Sequence, residues 1–152
     1  MPPECPHQKG FSVVLPRHFL DLETVGIDAL QEILALARRM KAQDKKAAAS
    51  GASSLLAGKS VVLMFEKPST RTRLSFDVAV ARLGGHPITL NIQDTQLGRG
   101  ETVADTARTL SRYADAVMLR ANSHNRLLEL ADFSTIPVIN GLTDRSHPCQ
   151  IM

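Results

Sequence analysis

From Ser60 onward the chain alternates short apolar runs with helical periodicity, and this alternation restricts its architecture more than any other feature. Ser60–Phe65 reads Ser-Val-Val-Leu-Met-Phe, a nearly continuous apolar run suited to a strand buried on both faces. The spacing then predicts a helix over Arg71–Leu83, ended by Gly84-Gly85. After it come a strand over Ile88–Ile92, a helix over Thr102–Ala114 and a strand over Ala116–Leu119. A short helix over Asn125–Ala131 and a strand over Pro137–Ile139 complete the series. Parallel strands need long crossovers, and helices supply them. The expected class is therefore α/β: a parallel sheet of about four strands with helices on both faces. No internal repeat is visible.

Upstream, the stretch from Asp28 to about Gln43 places Leu30, Ile33, Leu34, Ala37 and Met40 on one helical stripe, with Asp28 as the expected N-cap. Its basic residues Arg38, Arg39, Lys41, Lys45 and Lys46 read as a solvated face or as an anion patch. Ala47–Leu56, rich in Ala, Ser and Gly, reads as a loop or linker. Met1–Gly10 is polar and Pro-rich, with no apolar signal core. The expected division is a disordered lead-in over 1–16, one domain over 17–146, and the opening of a further helix over 147–152.

Composition narrows the partners. A formal net charge of +3 suits small anions as well as nucleic acid. One Tyr and no Trp leave little for stacking bases, so no nucleic-acid partner is expected. No apolar run approaches the length of a membrane span, so no membrane partner is expected either. Cys5 and Cys149 form no disulfide framework and no metal-ligand spacing, which suits reduced thiols and a cytoplasmic protein. His147 near Cys149 offers two candidate ligands, too few for a metal site.

In an open parallel sheet ligands gather at the carboxyl ends of the strands. The first such loop is Glu66-Lys67-Pro68-Ser69-Thr70-Arg71-Thr72-Arg73. Ser69 and Thr70 fall where a helix N-cap belongs, with two arginines in the first turn. A helix N-terminus already carries partial positive charge, so cations there are unfavourable by roughly 0.3–1 kcal/mol each. An anion offsets them, and free N–H groups, hydroxyls and a guanidinium make a phosphate cradle. The plainer alternative is a Ser/Thr cap with arginines turned to Asp77. The second loop, Gln93–Gly100, holds Gln96, and the third is Arg120-Ala121-Asn122. The fourth, Asn140–Gln150, holds His147 and Gln150. Plain readings exist for these as well. Gln96 fits a solvated loop, Arg120 an ion pair at a strand end, and His147 a cap before Pro148. The stretch Ser53–Ser60 nearly matches a P-loop, but it precedes a strand instead of following one. No Gly-x-Gly-x-x-Gly follows the first strand.

The stretch Phe65–Arg73 resembles the Ser-Thr-Arg-Thr-Arg phosphate motif of the carbamoyltransferases. The resemblance runs from about Arg17 to the last residue. It continues through Leu74-Ser75-Phe76-Asp77, Leu83-Gly84-Gly85, Gln96–Thr102, Asp105–Arg108, Arg120, Asn140–Asp144 and His147-Pro148-Cys149-Gln150. Lys67, Gln96, Gly-Leu-Thr-Asp and His-Pro-Cys-Gln look like the ornithine branch, whereas Arg99-Gly100-Glu101 is closer to the aspartate branch.

The resemblance implies transfer of a carbamoyl group from carbamoyl phosphate to the side-chain amine of ornithine. The products are citrulline and phosphate, as in arginine biosynthesis, and no metal or organic cofactor takes part. It implies that Ser69, Thr70, Arg71 and Thr72 hold the phosphate and that Arg120 bridges phosphate and carbonyl oxygen. His147 with Thr72 is expected to stabilise the oxyanion, and Gln150 to hold the carbamoyl nitrogen. Gln96 is expected to reach a neighbouring subunit's site in a homotrimer. Nothing in the chain resembles the family's second, amino-acid-binding domain. The chain is therefore expected to be a fragment that holds the carbamoyl-phosphate half and is inactive alone, with its stub after Pro148 unable to keep helical structure. Three alternatives stay open: an aspartate carbamoyltransferase, a non-catalytic phosphate-binding module, and a trimerisation module.

Overall fold

The sheet is built around β1 (Ser60–Phe65), which is buried at every position after Ser60. The computed structural model describes residues 16–47 and 55–152. The expected lead-in before Pro16, Cys5, and the linker residues 48–54 lie outside them. β1 pairs in parallel with β2 (His86–Asn91) on one side and β3 (Ala116–Arg120) on the other, and β4 (Val138–Leu142) lies beyond β3. The order is β2-β1-β3-β4. The chain first steps from β1 to β2 and then crosses to β3 on the opposite side of β1. The carboxyl ends of β1 and β3 therefore flank the point where the winding reverses, which is where open α/β sheets leave a crevice.

Alternation along the strands divides the core. Val61, Leu63 and Phe65 pack with Met118 and with Val80 of α3 (Arg71–Arg82). Val62 and Met64 face the other way, among residues of α4 (Val103–Tyr113) and α5 (His124–Phe133). The expected helices on both faces are present. β2 is an edge strand with no buried residue, and it carries Pro87 where a missing N–H costs least.

Several boundaries differ from the reading of the sequence. β2 runs from His86 to Asn91, and Ile92 instead opens a 3₁₀ turn (Ile92–Asp94). β4 extends past Ile139 through Asn140 and Gly141 to Leu142, so the fourth loop begins only at Thr143. A polar residue and a glycine hide this strand from an apolar-run argument. Each fits for a local reason: Asn140 is 0% exposed with its amide bonded, and a Cβ on Gly141 would collide with the Sδ of Met118. Ahead of the sheet lie α1 (Leu22–Val25) and α2 (Ile27–Ala47). Asp28 is not a cap. Gly26, with φ 81°, ends α1, and Asp28 falls in the first turn of α2, where a carboxylate still suits the helix dipole. Asp21 does cap α1, accepting from the N–H of Glu23 at 3.3 Å. Along α2, Leu30, Ile33, Leu34 and Met40 are half-buried, while Ala37 is exposed.

At the amino ends of the strands, Lys59 of the P-loop-like stretch pairs with Asp115 at 2.8 Å, and the N–H of Ser60 donates to the same carboxylate at 2.9 Å. Those groups are structural and lie opposite the crevice. The terminal stub also departs from expectation. Pro148–Ile151 forms a single turn, α6, with Pro148 buried against the body of the domain. Tertiary packing holds what four residues could not hold alone. Among the described residues no helix is long and apolar enough to cross a membrane.

Candidate active site at the carboxyl ends of the strands

The loop after β1 delivers its groups at the N-terminus of α3. Thr70 occupies the cap position but has helical angles, φ −86° and ψ −54°, and its side chain makes no cap hydrogen bond. Its hydroxyl is therefore free for another partner, and the capping alternative does not hold. Neither Arg71 nor Arg73 forms an ion pair among the described residues, so the alternative that turned them to Asp77 fails as well. Two unneutralised guanidiniums at the positive end of a helix favour an anion there.

Thr72 turns inward and is buried, and its hydroxyl accepts from Nη1 of Arg120 at 3.1 Å. Arg120 ends β3, where the register shifts so that it stands opposite Leu142 and skips Gly141. Its Nε is buried without a partner, and so is Nδ1 of His147. Burial first, then the charge of Arg120, hold the His147 imidazole below its ordinary 6.5. His147 thus lies close enough to Arg120 to feel its charge, and it is neutral at neutral pH. Buried polar atoms in folded proteins are nearly always satisfied. Arg120, which reaches the buried Thr72, and the nearby His147 thus each keep a buried polar atom without a protein partner.

The structure thus joins Thr72 to Arg120 and sets His147 within reach of the Arg120 charge. Ser69 and Thr70 line an adjoining cleft of about 520 Å³ with Lys67, Arg73, Asn91 and Asp94. Gln96 is not brought to this place. It is exposed at the start of a second 3₁₀ turn (Gln96–Arg99), which Gly100 ends at φ 104°. The second loop is therefore largely a pair of tight turns. Gln150 lies exposed on α6, with its N–H donated to the His147 carbonyl at 3.0 Å. Among the described residues no group of three His, Cys, Asp or Glu side chains is placed to hold a metal ion.

Sequence reasoning passed over Glu66. Its side chain is 4% exposed, and it accepts from the backbone N–H of Asn122 and the guanidinium of Arg126. It thereby clamps the loop after β1 to the turn after β3. The only signal in the sequence was a carboxylate at the end of an apolar run, and its partners lie 56 and 60 residues away.

A doubly wound α/β domain with hydroxyls, guanidiniums and a neutral imidazole at its switch point belongs to the class that binds a small anion and polarises what is attached to it. The carbamoyl-P binding domain of aspartate/ornithine carbamoyltransferases matches residues 17–152. The chain belongs to that family. It is 56% identical over 137 residues to the ornithine carbamoyltransferase of Agrobacterium fabrum (strain C58), covering 90% of this chain and 44% of that protein. Against the ornithine carbamoyltransferase of Rhodopseudomonas palustris (strain BisA53) the identity is 54%, over 90% of this chain and 45% of the relative. Among solved structures, the ornithine carbamoyltransferase from Pyrococcus furiosus superposes with a TM-score of 0.83 at 50% identity, covering 91% of this chain and 44% of that one. The catalytic subunit of M. jannaschii aspartate transcarbamoylase gives 0.80 at 35%, over 89% and 44%. The chain thus spans a little under half the length of the curated relatives it matches.

Proposed function

We propose that this chain binds carbamoyl phosphate as its half of an ornithine carbamoyltransferase. The observation that carries the reading is the meeting of Arg120, Thr72 and a neutral His147 beside the bare N-terminus of α3. In this reading the phosphate rests on Ser69, Thr70, Arg71 and Thr72. Arg120 spans from phosphate to carbonyl oxygen, and His147 with Thr72 stabilises the oxygen as it gains charge. Gln150 holds the carbamoyl nitrogen. The ornithine amine attacks the carbonyl carbon and loses a proton. The carbon–oxygen bond to phosphate then breaks, and phosphate leaves with the electron pair. The substrate brings its own leaving group, so the protein's work is orientation and polarisation.

The reading extends to a homotrimer in a cytoplasmic pathway of arginine synthesis, with Gln96 reaching into a neighbouring site. What supports that role is that Gln96 is exposed at the start of its 3₁₀ turn. Ornithine is favoured over aspartate because relatives at 53–56% identity are ornithine enzymes, while the aspartate enzyme's 35% lies within the 34–50% spanned by ornithine enzyme structures. By themselves the 152 residues are proposed to bind without turnover, since they cover under half of each relative. Calorimetry with carbamoyl phosphate is the test. Binding should weaken by about tenfold or more in Arg71→Ala, the loss of a charge-assisted contact. No binding by the wild type, or citrulline formed by this chain alone at a full enzymatic rate, would overturn the reading.

A further inference from the structure

Resting on that reading, we propose that Asn140 is the positioning residue for His147, because its side-chain amide fixes the chain just before that histidine while its backbone carbonyl accepts from the chain just after it. Asn140 is 0% exposed, in a strand where an apolar side chain is the cheaper occupant. A buried amide must satisfy two N–H donors and an oxygen. Here Nδ2 donates to the carbonyl of Leu20 at 2.8 Å and to the carbonyl and hydroxyl oxygens of Ser146 at 3.3 Å each. Oδ1 accepts the N–H of Leu142 at 2.9 Å. The backbone carbonyl of Asn140 accepts from the Cys149 thiol at 3.6 Å. Ser146 immediately precedes His147 and Cys149 follows two residues later, so one residue holds both flanks.

The same side chain acts on the residue paired with Arg120. Leu142 has φ 134°, a conformation unfavourable for any residue with a side chain. It stands opposite Arg120 across the register shift. The bond from Leu142 N–H to the Asn140 oxygen supports that strained residue. Asn140 thereby sets the imidazole and the guanidinium relative to each other without touching substrate.

The test combines Asn140→Leu with two readouts that a simple loss of stability would not move. Leucine is close in volume and adds no charge, but it has no N–H to offer Leu20 or Ser146. The His147 imidazole, followed by NMR titration, should move up towards 6.5 as the turn opens. Carbamoyl phosphate should bind about tenfold more weakly, while inorganic phosphate, held by Ser69–Thr72, should change by less than about threefold. An unchanged His147 titration, or equal weakening of both anions, would overturn the proposal. If Asn140→Leu does not fold, Thr143→Val decides. The Thr143 hydroxyl accepts the N–H groups of Arg145 and Ser146 at 3.3 Å each, so the change loosens the same turn from outside β4. It should give the same split, and a wild-type titration would sink the idea. Were the wild type to bind neither anion, the functional reading would fall, while the His147 titration would still decide the role of Asn140.

Discussion

At Gly141 a methyl group has nowhere to go, because the Sδ of Met118 occupies the place of a Cβ and Met118 itself is fully buried. Gly141→Ala should therefore lower stability by about 1–3 kcal/mol, the usual cost of overpacking a core. Urea denaturation checks it, and a change within about 0.5 kcal/mol would mean that Met118 moves aside freely. Cys149 makes the complementary point. Burial pushes its thiol up to about 11, so its alkylation at about pH 8 should be far slower than that of an unhindered cysteine. Thiol labelling followed by peptide mapping measures this, and rapid labelling would contradict the burial. Ser69, Thr70, Arg71 and Thr72 stand out in the sequence as the proposed phosphate cradle because the signal for it lies in neighbouring residues. Asn140 and Glu66 do not, because their chemistry lies in partners as many as 120 and 60 positions away.

Elements were legible wherever a single period dominated. β1, α3 and α4 lie within a residue or so of their expected bounds because apolar runs and helical stripes mark them. β4 was read too short because a tertiary partner, a bonded amide, decides it, whereas α6 falls where a helix was expected and a buried proline holds so short a stub in place. The two helix N-termini that carry a threonine now allow a direct comparison. Thr102 caps α4 with its hydroxyl, accepting from the N–H of Asp105 at 3.1 Å. Thr70 caps nothing. Thr102→Ala should cost about 0.5–2 kcal/mol of stability and leave phosphate binding alone. Thr70→Ala should do the opposite, with melting unchanged and phosphate affinity reduced. Thermal melts with and without phosphate separate the two. Equal losses of stability would mean that Thr70 is a structural cap after all, and the anion reading of the α3 terminus would lose its main support.

Across the whole molecule, two histidines report on how the domain is tied together. His18 accepts the N–H of Val138 on Nδ1 at 3.1 Å, where the segment around Phe19 runs along β4. Burial first, and then Arg17, hold its imidazole below 6.5. His147 is lowered at the far end of the same strand by burial and by Arg120. The sign follows from linkage. Between the folded values and about 6.5 the unfolded chain binds more protons than the folded one, so stability rises with pH there. The contribution is complete above about 6.5 and is lost as pH falls towards the folded values. Asp105 and Asp115 are also lowered, by Thr102 and Lys59 respectively before other causes, but from 3.8, so their losses come in more acidic solution. Unfolding should therefore show, as pH falls below about 6.5, a slope belonging to the two imidazoles. Replacing both in a His18→Gln, His147→Gln variant should flatten that slope, with each single variant removing part of it. A slope that survives the double replacement would place the acid sensitivity elsewhere, and neither histidine could then be buried in its neutral form. Carbamoyl phosphate should act on only one of the two. An anion seated beside Arg120 screens the charge that depresses His147, so its titration should move up on binding while that of His18 stays where it was.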